Sequence, residues 1–240
     1  MTADEAAYGD RYIAFLDLLG FSALVRRADD PDVRALIQQL VRCLQHIPAT
    51  VRQIQFTQFS DCVVLSSERS HGGLMAILFA SRLISECVML EGCLVRGGIA
   101  SGKLTHTSKL VFGPGLLNAY GHDARGAPPR VVIAPDVVTE VGNESEFMRM
   151  NVRSDPADAT PYLHSLLAVE YYDLSDDPVP FPAAIWNMPE IIGRMCGSLN
   201  VPEGVRTKWT WFRRYWNETV GIRQGLLSRG GAEVKEESGK

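Results

Sequence analysis

Two carboxylates interrupt apolar runs where packing gives no reason for them. Asp17 follows Tyr12, Ile13, Phe15 and Leu16 in RYIAFLDLLGFSAL (11–24), a run that reads as a buried strand ending at the acid and turning at Gly20. Asp61 lies in FTQFSDCVVLS (56–66), where two strand-like runs flank a tight Ser60–Asp61 turn, the pattern of a hairpin. An acid at the end of a buried strand sits at the rim of a sheet, where a cation or a substrate can meet it. Two such acids on neighbouring strand ends suit a two-metal site, which clamps the attacking and leaving oxygens of a phosphoryl displacement. The plainer alternative is that Asp17 caps a loop and Asp61 only forms a turn, as aspartate often does.

The elements around them must bring the two acids together. Asp30–Pro31 reads as an N-cap and first helical residue. Val33, Leu36, Ile37, Leu40, Leu44 and Ile47 then recur at helical spacing until Pro48. A second helix is expected from about Gly73 to Leu90, stopped by Gly92, and then a strand, CLVRGGIA, over 93–100. Strand, helix, strand, strand, helix, strand is the ferredoxin-like βαββαβ order, an α+β fold with helices packed on a mainly antiparallel sheet. That order sets the first strand beside the hairpin and makes Asp17 and Asp61 neighbours. Further on we expect a short helix over 116–123, a strand over 130–134 and a short helix over 136–141. A late strand over 162–174 and a long helix over 204–227 complete the reading. The implied organisation is a core over 11–141, a polar loop over 142–160, a strand and helical extension over 161–230 and a disordered tail over 231–240.

Composition narrows the function classes. At 240 residues and 46% apolar content the chain can bury a sizeable core. A net charge of −4 provides no basic field to draw it to nucleic acid or to an anionic membrane, so neither is an expected partner. The five cysteines form no CxxC pair, so no zinc site is expected, and they suit small apolar roles in a reducing cytoplasm. The N-terminal MTADEAAYGD has no apolar stretch of the kind a secretory leader needs. The apolar window 74–95 is broken by Arg82, Glu86 and Glu91, which argues against a membrane span.

Four motifs together, FLDLLGF (15–21), FSD (59–61), RGGIASG (96–102) and FGPGLLNA (112–119), resemble the class III nucleotidyl cyclases over roughly residues 11–134. The resemblance implies that Asp17 and Asp61, with the carbonyl of Leu18, hold two divalent cations, Mn²⁺ or Mg²⁺. It implies that backbone N–H groups of Gly20, Phe21 and Ser22 cradle the triphosphate, as anion-binding nests do. It also implies that Arg96 binds the terminal phosphate; the plainer role for Arg96 is an ion pair at the sheet edge. The activity implied is attack of a ribose 3′-OH on the α-phosphorus of a nucleoside triphosphate, releasing pyrophosphate.

The departures from that family bear on the base. Purine-specific members carry a lysine where this chain has Thr57 and an acid where it has Leu110. The family's transition-state asparagine and arginine align with Leu117 and Gly121, with Asn118 one place away. FLDLLGFS, FSDCVVLS, RGGIASGKL, GPGLLNAY and PRVVI resemble the pyrimidine cyclases of bacterial Pycsar antiphage defence. This implies cyclic UMP or cyclic CMP as product, with UTP the favoured substrate, a homodimer with sites at its interface, and a downstream effector that binds the cyclic nucleotide. Thr57 and Gln58 are then candidates to read the base. Tyr120, Arg125 and Arg130 are candidates to replace the missing transition-state cation, from the same or the partner copy. The competing readings are a cytidylate or purine cyclase, another palm-like polymerising enzyme, and a cyclase-fold binding module without catalysis. Diguanylate cyclase is disfavoured because the hairpin reads FSDCV. In KWTWFRRYWNETVGIRQ, Trp209, Phe212, Trp216 and Val220 fall at helical spacing among basic residues. A helix burying its aromatic stripe fits this better than a nucleic-acid platform.

Overall fold

The computed structural model describes residues 8–122, 128–142, 144–171, 185, 187–198 and 201–236. It divides into two compact units, Met1–Ser165 and Leu166–Lys240.

The first unit opens with β1 (Gly9–Leu19), α1 (Phe21–Val25), α2 (Pro31–Thr50), β2 (Gln55–Phe59), β3 (Cys62–Glu68), α3 (His71–Leu90) and β4 (Leu94–His106). The expected βαββαβ order is present, with strands ordered β2-β3-β1-β4. Asp30 caps α2 by accepting from the Asp32 N–H at 3.0 Å, with Pro31 at the first helical position. α2 continues to Thr50, through Pro48 rather than stopping there. A proline this near the C-terminus removes one N–H bond and leaves only the last residues to follow it. Ser70 caps α3, and Gly92 turns the chain after it with φ 76°.

β1 also outruns its expected end. It continues two residues past Asp17, paired with β4 as far as Leu19↔Leu94. Gly20, at φ 100°, then turns the chain into α1, a backbone region that only glycine enters cheaply. Asp17 is therefore near the end of the strand and still within its ladder.

β5 (Val111–Phe112) pairs with the end of β4, and α4 (Pro114–Gly121) follows. β6 (Val131–Ile133) runs parallel to β4 and leads to α5 (Pro135–Gly142). Residues 142–160 are not a simple polar loop: α6 (Glu146–Arg149) and β7 (Val152–Ser154) lie within them. β8 (Pro161–Leu163) pairs with both β6 and β7, and these strands extend the sheet to eight among the described residues. The late strand expected over 162–174 is thus short; α7 (Leu167–Tyr171) replaces its middle, and 172–174 lie outside the described residues.

The core lies between the sheet and α2 and α3. It includes Leu16, Leu65, Leu40, Leu44, Ile77 and Ile84, all essentially inaccessible. Taken alone, α3 is long and apolar enough to cross a membrane, because it ends before Glu91; here its Leu74, Ile77, Leu78 and Ile84 are core residues. Cys43 of α2 and Cys87 of α3 form a disulfide, with Cα atoms 6.5 Å apart, which corrects the expectation of independent thiols. The pairing was hidden in the sequence because 44 residues separate the two, and only side-by-side packing of the helices joins them.

The second unit contains α8 (Met188–Gly197) and α9 (Glu203–Glu236) as well as α7. α9 begins as expected and runs beyond 231, into the stretch read as a tail. Trp209, Phe212, Tyr215 and Trp216 are buried, and the Tyr215 hydroxyl accepts from the Leu166 N–H at 3.0 Å. The aromatic stripe is a packing surface.

Candidate active site

Alternation along the strands decides which side chains meet. Asp17 lies opposite Cys62 on β3 and opposite Arg96 on β4, and Cys62 lies opposite Phe59 on β2. Phe59, Cys62, Asp17 and Arg96 therefore form one cross-strand row on one face. The next row on the same face is Thr57, Val64, Phe15 and Gly98. The two rows are roughly 7 Å apart, two residues of strand rise.

α4 partly covers this face. Its Tyr120 meets Phe15 edge-on, ring centres 5.1 Å apart, and remains 55% exposed. The glycines of RGGIASG allow the close approach. A Cβ at Gly98 would lie 2.5 Å from the Ala119 carbonyl, and one at Gly102 2.8 Å from the Gly115 Cα.

Asp61 occupies the β2–β3 turn, after Ser60 at φ 54°. The Leu18 N–H donates to the Asp61 carbonyl at 2.7 Å, which ties the turn to β1 beside Asp17. Ser22 of α1 donates its hydroxyl to Asp61 Oδ2 at 2.5 Å. This bond holds the Asp61 carboxyl below the usual carboxylate range against an opposing effect of burial. Asp17, Asp61 and Cys62 each present a donor atom within 4.8 Å of the others. Two carboxylates at that separation fit a divalent cation such as Mg²⁺ or Mn²⁺, and the Cys62 sulfur adds a softer donor.

The other expected site residues divide into those brought together and those kept apart. Gly20, Phe21 and Ser22 form the turn and first residues of α1, next to Asp61. Arg96 Nη2 donates to Asp17 Oδ2 at 2.9 Å, an ion pair between two largely buried side chains. Thr57 shares the face of Asp17. Gln58 does not, because its row is Gln58, Val63 and Leu16, on the α2 and α3 side. Asn118 is exposed on α4 and lines a cavity of about 490 Å³ with Ser101, His122 and Asp136. Arg125 lies outside the described residues. Arg130 is buried, and its guanidinium is bonded to Asp155 and to Asp158. The aspartates that occupy it come from the turn after β7, which its own neighbourhood in the sequence does not reveal.

Three residues near the site were not anticipated. Cys62 follows from alternation, once the pairing of β1 with β3 is known. Phe59 is 80% exposed at the edge of the row that holds Asp17 and Cys62. His106 ends β4, yet its ring reaches Thr57 and Ser66, with Nε2 3.0 Å from Thr57 Oγ1 and Nδ1 2.8 Å from Ser66 Oγ. Nothing local in GKLTHTSK announces that contact.

No family model matches the sequence, and no curated protein matches it. Solved structures do match in fold. The non-canonical dimeric guanylyl cyclase domain of the RhoGC fusion protein from the aquatic fungus Blastocladiella emersonii aligns with a TM-score of 0.50 at 12% identity, over 65% of this chain and 97% of that one. The adenylyl cyclase CyaB from P. aeruginosa gives 0.47 at 11% identity, over 64% and 91%. The guanylate cyclase domain of RhGC from Catenaria anguillulae, in complex with GTP, gives 0.46 at 12% identity, over 65% and 94%. The fold is that of a class III cyclase core.

Proposed function

We propose that this chain is a pyrimidine nucleotide cyclase. On this reading it converts UTP, in preference to CTP, to the 3′,5′-cyclic nucleotide and pyrophosphate, as a second-messenger synthase of bacterial antiphage defence acting in the cytoplasm. The observation that carries it is the convergence of Asp17, Asp61 and Cys62 on a cyclase fold, with a threonine in the next row where purine cyclases carry lysine.

Asp17 and Asp61 would hold two divalent cations, Mn²⁺ or Mg²⁺, which when bound lower the pKa of the attacking hydroxyl and spread charge on the phosphates. Ser22 keeps Asp61 ionised and oriented. The turn at Gly20 directs backbone N–H groups to the triphosphate. Arg96, beside Asp17, reaches the leaving phosphates when substrate competes for it. The 3′-hydroxyl gives its proton to solvent, its oxygen bonds to the α-phosphorus as the bond to the bridging oxygen breaks, and pyrophosphate carries away the electron pair. Tyr120 and Asn118 on α4 border the ribose, and a second copy of the chain completes the site. The product passes to an effector with a cyclic-nucleotide pocket.

The test is incubation with equal concentrations of ATP, GTP, CTP and UTP and either metal, with the products identified and the active species sized by light scattering. A cyclic pyrimidine nucleotide from a dimer is expected. A dominant purine product would show that Thr57 and Leu110 were misread, and an active monomer would remove the second copy. No turnover of any triphosphate would leave a cyclase-fold nucleotide-binding module.

A further inference from the structure

We propose that His106 is a positioning residue that fixes the Thr57 hydroxyl as a hydrogen-bond donor, and so selects a base presenting a carbonyl there, uracil over cytosine. The inference rests on the reading that Thr57 meets the base.

The direction of each hydrogen bond follows from the groups available. Arg11 can only donate, and its Nε donates to Ser66 Oγ at 3.0 Å. Ser66 is fully buried, and among the described residues its only other side-chain partner is His106 Nδ1. The Ser66 proton therefore goes to Nδ1, since a buried hydroxyl proton without an acceptor is costly. Nδ1 accepting leaves the ring proton on Nε2, which donates to Thr57 Oγ1. With that oxygen already accepting, the Thr57 proton points away from His106, on a half-buried side chain sharing the face of Asp17.

A cationic His106 would break this chain. Its Nδ1–H would drive a second donor into Ser66 Oγ and leave the serine proton unplaced. Burial, with Arg11 adding repulsion, lowers the His106 pKa to about 4, so the ring is neutral near pH 7. The relay runs one way, Arg11 to Ser66 to His106 to Thr57, and ends on a donor. Uracil offers O4 to it. Cytosine presents an amino group at the same position; the second lone pair of Thr57 Oγ1 could accept it only by turning the hydroxyl proton to a side where, among the described residues, no acceptor meets it, and specificity would come from that unplaced proton.

The test pairs calorimetric binding of UTP and CTP, with Mn²⁺ present, with turnover of an equimolar mixture. The unsubstituted chain is expected to prefer UTP in both. Thr57→Val and His106→Phe are each expected to lower the UTP:CTP ratio by roughly tenfold, the loss of one buried hydrogen bond. Thr57→Ser and His106→Gln, which retain the hydroxyl and a donor near the Nε2 position, are expected to keep most of it. A loss of folding alone would not move this ratio. An unchanged ratio in folded Thr57→Val overturns the inference while leaving the cyclase reading intact, as does equal or tighter binding of CTP by the unsubstituted chain. The expected binding ratios without turnover support the inference and overturn the catalytic reading. No binding of either nucleotide overturns both.

Discussion

Replacing Arg130 with methionine is expected to cost about 3 kcal/mol of folding stability, the lower end of the range for breaking a buried ion pair. Arg130 is 8% exposed and Asp155 1%, so neither charge has water to fall back on. Methionine fills much of the volume of the arginine stem, and the principal loss is the guanidinium beside the Asp155 carboxylate. That carboxylate still accepts the Ala157 N–H at 3.0 Å, which moderates the cost. Asp158 is bonded to the same guanidinium, at 3.0 Å through Nη1, but its side chain is 47% exposed, so its share is about 1 kcal/mol or less. Urea titration followed by far-ultraviolet circular dichroism, which reads the first unit's sheet and helices, shows the loss as a lower midpoint at unchanged slope. A sign test accompanies it. Arg130 depresses the Asp158 carboxyl, so this contribution is present above the unfolded carboxylate pKa and is lost as pH falls through the folded one. The unsubstituted chain is therefore expected to lose more stability on acidification than the variant. Adding Asp155→Asn is expected to recover part of the loss, because it neutralises the buried charge. A folded Arg130→Met chain with an unchanged midpoint and much reduced turnover would refute the ion-pair assignment and return Arg130 to the catalytic candidates.

Asp17→Asn and Asp61→Asn are each expected to lower cyclic-nucleotide formation by at least roughly a hundredfold with an unchanged circular dichroism spectrum. Asparagine is preferable to alanine at Asp17 because it keeps an acceptor for the buried Arg96; near-normal product from either folded variant would remove that acid from the site. Ser22→Ala removes the main cause of the lowered Asp61 pKa. Mn²⁺ binding needs the carboxylate, so the pH at which binding is lost on acidification is expected to rise, and an unmoved midpoint would show that the Ser22 bond has no such effect. Reduction of Cys43–Cys87 is expected to lower stability by about 4 kcal/mol on the chain-entropy account for a 44-residue separation. Denaturation with and without dithiothreitol checks this, and identical midpoints would argue against the disulfide.

Several features of this chain follow from near neighbours alone. The period of apolar residues, the Asp30 cap, the Gly20 and Ser60–Asp61 turns and the order of elements are set by residues within a few positions of one another. The strand order then brings Asp17 and Asp61 together, since a βαββαβ chain has few ways to pair its strands. The end of β1 was less legible, because pairing with β4 carries the strand past its polar residue. Contacts that depend on which distant group fills them follow from packing across the whole chain. Gln58 and Thr57 are adjacent in sequence, but the pleat sends them to opposite faces once β2 has a register. Arg130 reads as a spare cation until the turn after β7 surrounds it with aspartates. Cys43 and Cys87 pair because two helices lie side by side, and His106 governs Thr57 because β4 carries it back to Ser66. A side chain's type restricts what it can bond, but its partner is fixed by where the rest of the chain packs.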